Sequence, residues 1–270
     1  MASQQYVLIL GVSSGFGRAA AKALAADGFH IVGVHLDRAA GLQQVEELKT
    51  ELQGMGVRTL FFNMNAADPD RRAEVMAAIK DEFAKHEGAT LRMMLHSLAF
   101  GTLKPFIADQ PNDAISQKNL DMTLDVMANS LIYYTQDIVR NGLMGAGGRV
   151  VGLTSAGATR VLPMYGAVSA AKAAMESYCR QLALELAPHG ITANSIRAGV
   201  TYTPALSKIP GSDIIMNNAL MRNPYHRLTT PEDIANVLRL LAKDEAQWIN
   251  GEVLGVDGGE DAIDLTWYKP

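Results

Sequence analysis

Tyr165, Lys172 and Ser155 are the side chains whose types and spacing suggest chemistry. They fall in one stretch, residues 149–188, where an apolar run ends in Thr154 and Ser155, as a buried strand delivering hydroxyls at its C-terminal end would. Tyr165 follows, and Lys172 comes seven residues later, inside a helix expected over 168–186. A phenol, an ammonium and a hydroxyl at a strand end make a proton-delivery set. The ammonium favours the phenolate, so Lys172 is expected to lower the Tyr165 pKa and make the phenol a better general acid. Ser155 is expected to hydrogen-bond the substrate oxygen that Tyr165 protonates.

Such a trio needs a scaffold to hold a reactant beside it, and the N-terminal third supplies one. Residues 6–10 read Tyr-Val-Leu-Ile-Leu, a run suited to a central parallel strand. GVSSGFG follows, then an alanine-rich helical stretch. Strand, glycine turn and helix in that order form a dinucleotide site, because glycines admit the pyrophosphate to the backbone and the helix N-terminus offers N–H groups. Gly11, Ser13, Ser14, Gly15, Phe16 and Gly17 are the expected contacts, in a Gly-x-x-x-Gly-x-Gly spacing. The second strand, 31–35, ends at His35, where a carboxylate would select NAD. With no carboxylate there to repel a 2′-phosphate, and Arg38 close enough to pair with one, NADP is favoured over NAD. Asp37 reaches a ribose only if the strand runs longer.

An amphipathic helix is expected over 39–54, with Leu42, Val45, Leu48 and Leu52 on its apolar face. The third strand, 60–62, leads to Asn65 and Ala66, expected at the adenine, and Asp68-Pro69 starts a helix as cap and first-turn proline. The fourth strand, 91–96, delivers Ser97, Leu98 and Ala99 beside the cofactor at the switch point of a doubly wound sheet. His96 is expected to make a structural hydrogen bond. A helix over 122–141 carries Asn129, Tyr133 and Tyr134, for which core or interface roles suffice. ITANSIRAG is the sixth strand and GEVLGVDGG the seventh, with a capped helix starting at Thr230-Pro-Glu-Asp233 between them. Residues 199–227 show proline breaks, methionines and no clean period, the pattern of a substrate lid with an apolar acyl channel. Thr203 in it is expected to bond the nicotinamide carboxamide, and Lys208, Arg222 and Arg227 to meet an acidic partner.

The 270 residues, 48% of them apolar, fit a single α/β domain: a Rossmann-like, doubly wound, seven-stranded parallel sheet. No apolar run approaches a membrane span, and Met-Ala-Ser-Gln-Gln is no secretory leader, so a cytoplasmic protein is expected. A net charge of −4 without a long basic run argues against nucleic acid. The lone Cys179 reads as packing, and six histidines without a His-x-x-x-His pair give no metal site.

With the glycine motif, HSLA, Thr154-Ser155, Tyr165, Lys172, ITANSIRAG and VDGG in this order, the chain resembles the short-chain dehydrogenase/reductase family over nearly its whole length. Most members place the tyrosine four residues before the lysine; here that position is Val168, which cannot give a proton. The seven-residue spacing, His-Ser in place of Asn-Asn and Ala-Gly in place of Pro-Gly are similar to the bacterial enoyl-acyl carrier protein reductases. Conjugate reduction makes the spacing intelligible: hydride enters C3 while charge gathers on the thioester oxygen at C1, so the proton donor sits further from the nicotinamide. Ser155 stands where those enzymes carry a second tyrosine and where ketone-reducing members carry serine, so the two patterns are mixed. The resemblance implies an enoyl thioester substrate, Lys172 also holding cofactor, fatty acid synthesis, and a homotetramer. The alternatives are a carbonyl, 3-oxoacyl or hydroxysteroid reductase of the same fold and a non-catalytic dinucleotide-sensing regulator.

Overall fold

The structure is a computed structural model that describes residues 4–263. Seven strands, β1 (Gln5–Leu10), β2 (His30–His35), β3 (Thr59–Asn63), β4 (Thr90–His96), β5 (Arg149–Ser155), β6 (Thr192–Ala198) and β7 (Val253–Val256), form one sheet in the order β3-β2-β1-β4-β5-β6-β7. Every pairing is parallel. The order reverses between β1 and β4, which opens a crevice at the carboxyl ends of those strands. This is the expected Rossmann-like, doubly wound architecture.

Helices α1 (Gly15–Ala26), α2 (Ala39–Gly54), α3 (Pro69–Phe83), α4 (Gln117–Leu124), α5 (Ser130–Arg140), α6 (Gly166–Glu185), α7 (Ser212–Arg222) and α8 (Pro231–Leu241) complete the fold. Because successive strand residues point to opposite faces, β1 feeds two cores at once. Tyr6, Leu8 and Leu10 pack with Val75 and Ile79 of α3, Leu131 of α5 and Met175 of α6. Val7 and Ile9 pack with Leu24 of α1, Leu48 of α2 and Leu238 of α8. Burying each such aliphatic side chain contributes about 1.5–3 kcal/mol, so the central strands are stiff and their ends are well placed.

Local signals start several helices. The Asp68 side chain accepts from the Asp70 and Arg71 amides with Pro69 in the first turn, and Thr230 and Asp233 form a reciprocal capping box. Three expectations need correction. Leu42 is exposed rather than on the buried face of α2, which is formed by Val45, Leu48 and Leu52. The helix expected over 122–141 begins earlier, at Gln117 behind the Ser116 cap, and a π-helical turn over Asp125–Asn129 divides it into α4 and α5. The irregular 199–227 segment contains α7, whose start, after Gly211 with a φ of +76°, has no side-chain cap and whose only buried residue is Ala219. A helix so little buried leaves no periodic apolar stripe to read. Among the described residues no helix is long and apolar enough to cross a membrane, and no group of three or more His, Cys, Asp or Glu could hold a metal ion.

Candidate active site

A cavity of about 1190 Å³ lies over the carboxyl ends of the central strands. Its walls include Phe16 from the glycine turn, Ser97, Leu98 and Ala99 after β4, Ser155 at the end of β5, Tyr165 just before α6, Lys172 from α6, and Thr203. The sequence thus brought its central candidates to one place. Gly11, Ser13, Ser14, Gly15 and Gly17 form the turn at the rim. Arg38, Asn65 and Ala66 follow β2 and β3 on the same sheet edge, beyond the cavity walls.

The glycine turn has a physical requirement for two of its glycines. Gly11 has a φ of +94°, and a Cβ there would fall 2.6 Å from the Ser97 carbonyl oxygen; one on Gly17 would fall 2.0 Å from the Gly11 carbonyl oxygen. Both glycines therefore permit close approach of backbone to backbone, of the turn to the residue after β4 and of the start of α1 to the turn. Helix α1 begins at Gly15 with no side-chain cap from Ser14 and no acidic residue in its first turn, leaving an electropositive N-terminus. An electropositive helix N-terminus at a tight glycine turn beside a large cavity fits the pyrophosphate of a dinucleotide. The Thr203 methyl lies against Gly15, so the first residues beyond β6 cross in front of this turn. Its hydroxyl oxygen accepts from the Leu206 amide at 3.2 Å. Asn65 closes its own turn, its side-chain oxygen accepting from the Ala67 amide, while Ala66 is buried.

Tyr165 is the residue immediately before α6, so it stands at the mouth of the helix rather than out in a loop. Met164, with a φ of +60°, makes the turn that delivers it. Its ring fills the space a side chain on Gly157 would need, with Ser155 Oγ lining the same space. Ser155 Oγ is buried without a hydrogen-bond partner among the described residues. Lys172 is buried one to two turns along α6, and its Nζ donates to the Leu153 carbonyl at 2.6 Å. Val168, at the position four before lysine, is an apolar part of the cavity wall.

The electrostatics correct one expectation. Burial pushes the Tyr165 phenol up, and the group opposing it is the Ser155 hydroxyl, not Lys172. The lysine has its ammonium turned to the Leu153 carbonyl of β5 and is itself lowered to about 8 by burial, against a raising effect of Glu176. Glu176 accepts from Thr154 Oγ1 at 2.7 Å, which holds that carboxylate on the strand side of α6. His96 has the structural role expected of it. Its Nε2–H donates to Ser130 Oγ at 2.8 Å, and the Ser130 hydroxyl donates onward to the Val126 carbonyl in the π-helical turn. Burial, with a further push from the Lys172 charge, lowers His96 to about 3, so it stays neutral. Asn129 accepts from Tyr178, Tyr134 is in the core, Tyr133 lies against Arg72, and Cys179 is buried in packing.

Sequence reasoning missed two sets of residues. Leu103, Met127, Leu162, Ile209 and Ile215 form apolar wall, with Met127 presented by the π-helical turn. A charged network closes the opposite side. Glu260 accepts from the Val200 amide at 3.0 Å and pairs with Arg222 at 3.3 Å, while Asp261 pairs with Arg160 at 2.5 Å and Arg197 at 3.3 Å. The signal was present: a lone charged residue, Arg197, in the buried sixth strand, and two acids directly after VDGG. Arg222 is thereby engaged, and Arg227 is held by both oxygens of Asp233, so of the three basic residues expected to meet a carrier protein only Lys208 has no ion pair among the described residues.

A family model described as Enoyl-(Acyl carrier protein) reductase matches residues 11–260. A 1-cyclohexenylcarbonyl-CoA reductase of Streptomyces collinus is 31% identical over 261 residues, covering 95% of this chain and 86% of that protein. The crystal structure of the enoyl-[acyl-carrier-protein] reductase (NADH) of Aquifex aeolicus VF5 superposes with a TM-score of 0.82 at 26% identity, covering 97% of this chain and 98% of that one. A short-chain dehydrogenase of Burkholderia cenocepacia J2315, solved in complex with NADP, superposes with a TM-score of 0.77 at 26% identity over 97% and 99% of the two chains.

Proposed function

The chain belongs to the short-chain dehydrogenase/reductase family of oxidoreductases, and from that premise we propose that it reduces the 2,3 double bond of an enoyl thioester, a bound nicotinamide dinucleotide supplying hydride to C3. The observation that carries this reading is the position of Tyr165, seven residues before Lys172 and just outside α6, with Val168 as inert wall where a proton donor would otherwise stand. Gly11, Gly15 and Gly17 admit the pyrophosphate, Ser97 to Ala99 line the nicotinamide end, and Lys172 holds the ribose. Tyr165, kept protonated by burial, holds its proton toward the thioester oxygen and stabilises the enolate that forms there. Ser155 offers its unpartnered hydroxyl to the same oxygen. Residues 199–227 act as lid, their leucines, isoleucines and Met221 facing the acyl chain. NADP is favoured over NAD by Arg38. An acyl carrier protein is the proposed carrier, approaching Lys208, and the resemblance extends the proposal to fatty acid synthesis, a cytoplasmic location and a homotetramer.

Ser155 favours a second reading, reduction of a ketone by the same phenol. Dinucleotide oxidation followed with crotonyl and acetoacetyl thioesters separates the two: consumption of the enoyl substrate is expected, and consumption of the keto substrate alone would overturn the first reading. Tight dinucleotide binding without turnover of either, unchanged in Tyr165→Phe, would point instead to a sensing regulator.

A further inference from the structure

We propose that His35 decides which dinucleotide the protein accepts, by removing Asp37 from competition for the adenosine ribose; this rests on the reading that the glycine turn holds that cofactor. The turn and the end of β2 are one unit, since the Gly11 and Val12 amides both donate to the Val34 carbonyl. His35 is the next residue, its ring buried and edge-on to Phe61. Its Nδ1–H donates to Asp37 Oδ2 at 2.9 Å. The other carboxylate oxygen lies 2.9 Å from the point where a Cβ on Gly41 would fall, so it rests on the first turn of α2, whose N-terminal potential favours a negative charge. The Asp37 backbone is fixed as well: its amide donates to Asn63 Oδ1 and its carbonyl accepts from Asn63 Nδ2, both at 3.0 Å.

Asp37 is thus tied through its backbone to β3, and its carboxylate is turned toward α2 with one oxygen held by His35. Arg38 is the opposite case, exposed and with no ion pair among the described residues, at the N-cap position of a helix without acidic residues in its first turn. A doubly charged 2′-phosphate arriving at this edge meets a free guanidinium beside a carboxylate that accepts from His35 and is turned toward α2. A plain ribose finds this carboxylate turned toward α2, with one of its oxygens already accepting from His35.

The test is a fluorescence titration with NADPH and NADH in the absence of acyl substrate. Wild type is expected to bind NADPH about tenfold tighter or better. Arg38→Ala abolishes that preference. His35→Leu frees the carboxylate, so NADPH weakens and NADH tightens, and the ratio moves by about tenfold toward NADH. His35→Asn keeps an N–H near the Nδ1 position and retains the wild-type ratio. Asp37→Asn changes NADH binding by less than about twofold, because the carboxylate does not touch the ribose. Tighter NADH binding by wild type, an unmoved ratio in His35→Leu, or loss of NADH affinity in Asp37→Asn each overturns the proposal, and the last decides alone if His35→Leu does not fold. Failure of wild type to bind either dinucleotide overturns the cofactor reading itself, and this proposal with it.

Discussion

The two ends of the sheet treat buried charge in opposite ways. At the amino end, Arg149 is fully buried and donates to the Leu241, Lys243, Gly147 and Gly148 carbonyls and to Gln247, while Arg92 beside it donates to the Ala242 carbonyl and pairs with Asp244. These guanidiniums tie the end of α8 to the sheet and leave little unspent. At the carboxyl end Lys172 has a single acceptor, Ser155 Oγ is buried without a hydrogen bond, and Arg197 and Arg222 are held by ion pairs to Asp261 and Glu260, each at 3.3 Å. Buried polar groups without partners are expensive. His30 Nε2 and Thr192 Oγ1 are such groups at the amino end as well, so what sets the carboxyl end apart is that Ser155 and Lys172 line the cavity where a reactant would bind.

The comparison is broken or sharpened most directly by Tyr165→Phe. Turnover of a crotonyl thioester should fall by about 10²–10⁴-fold with thermal stability nearly unchanged, since only a proton donor is removed. Arg149→Met is the counterpart at the other edge. It should lower unfolding free energy by roughly 2–4 kcal/mol in urea titrations, from carbonyls left without a donor, while kcat per folded molecule stays within about twofold. If Arg149→Met abolished turnover in folded protein, the division of labour between the edges would be wrong.

The pH dependence reads the same contrast. Burial lowers Lys172 to about 8, so the charged form is lost as pH rises through that value. The pH profile of kcat/KM should therefore fall above it, by about tenfold per unit. The sign for stability is opposite. An unfolded chain keeps this lysine protonated up to its ordinary value of 10.5, so between about 8 and that value the unfolded state binds more protons and this group makes the fold more stable with rising pH. A profile flat past pH 9 would show that lysine charge is not used. The smallest effect is expected from Glu260→Gln, which keeps an acceptor for the Val200 amide but weakens the hold on Arg222. A several-fold rise in KM, corresponding to about 1 kcal/mol, with kcat little changed, would mark the pair as a positioner of the 199–227 segment.

The sheet was legible from short apolar runs because parallel strands are buried on both faces and carry few polar residues. Helix starts at Asp68 and Thr230 were legible because a cap and its amide partners lie within one turn. Helix α7 and the π-helical turn were not, since neither leaves a local pattern. The site was half legible: residue types and order marked Tyr165, Lys172 and Ser155, but their mutual electrostatics did not follow from spacing. Seven residues of separation suggest an ammonium beside a phenol, and in the fold that ammonium turns to a strand carbonyl 19 positions away instead.

Taken alone, then, the sequence determined the strand order along the chain and most of the helices between, the glycine turn at a strand end, and the family of chemistry that a phenol, a lysine and a serine imply. Tertiary structure alone decided where the charged groups are held: Arg222 by Glu260, Asp37 by His35 and, through its backbone, by Asn63 26 positions away, and Lys172 by a hydrogen bond to Leu153. The reason is range. Propensity, capping and turn geometry act over a few neighbours, whereas the partner and hydration of a charge depend on what distant segments the packing sets against it.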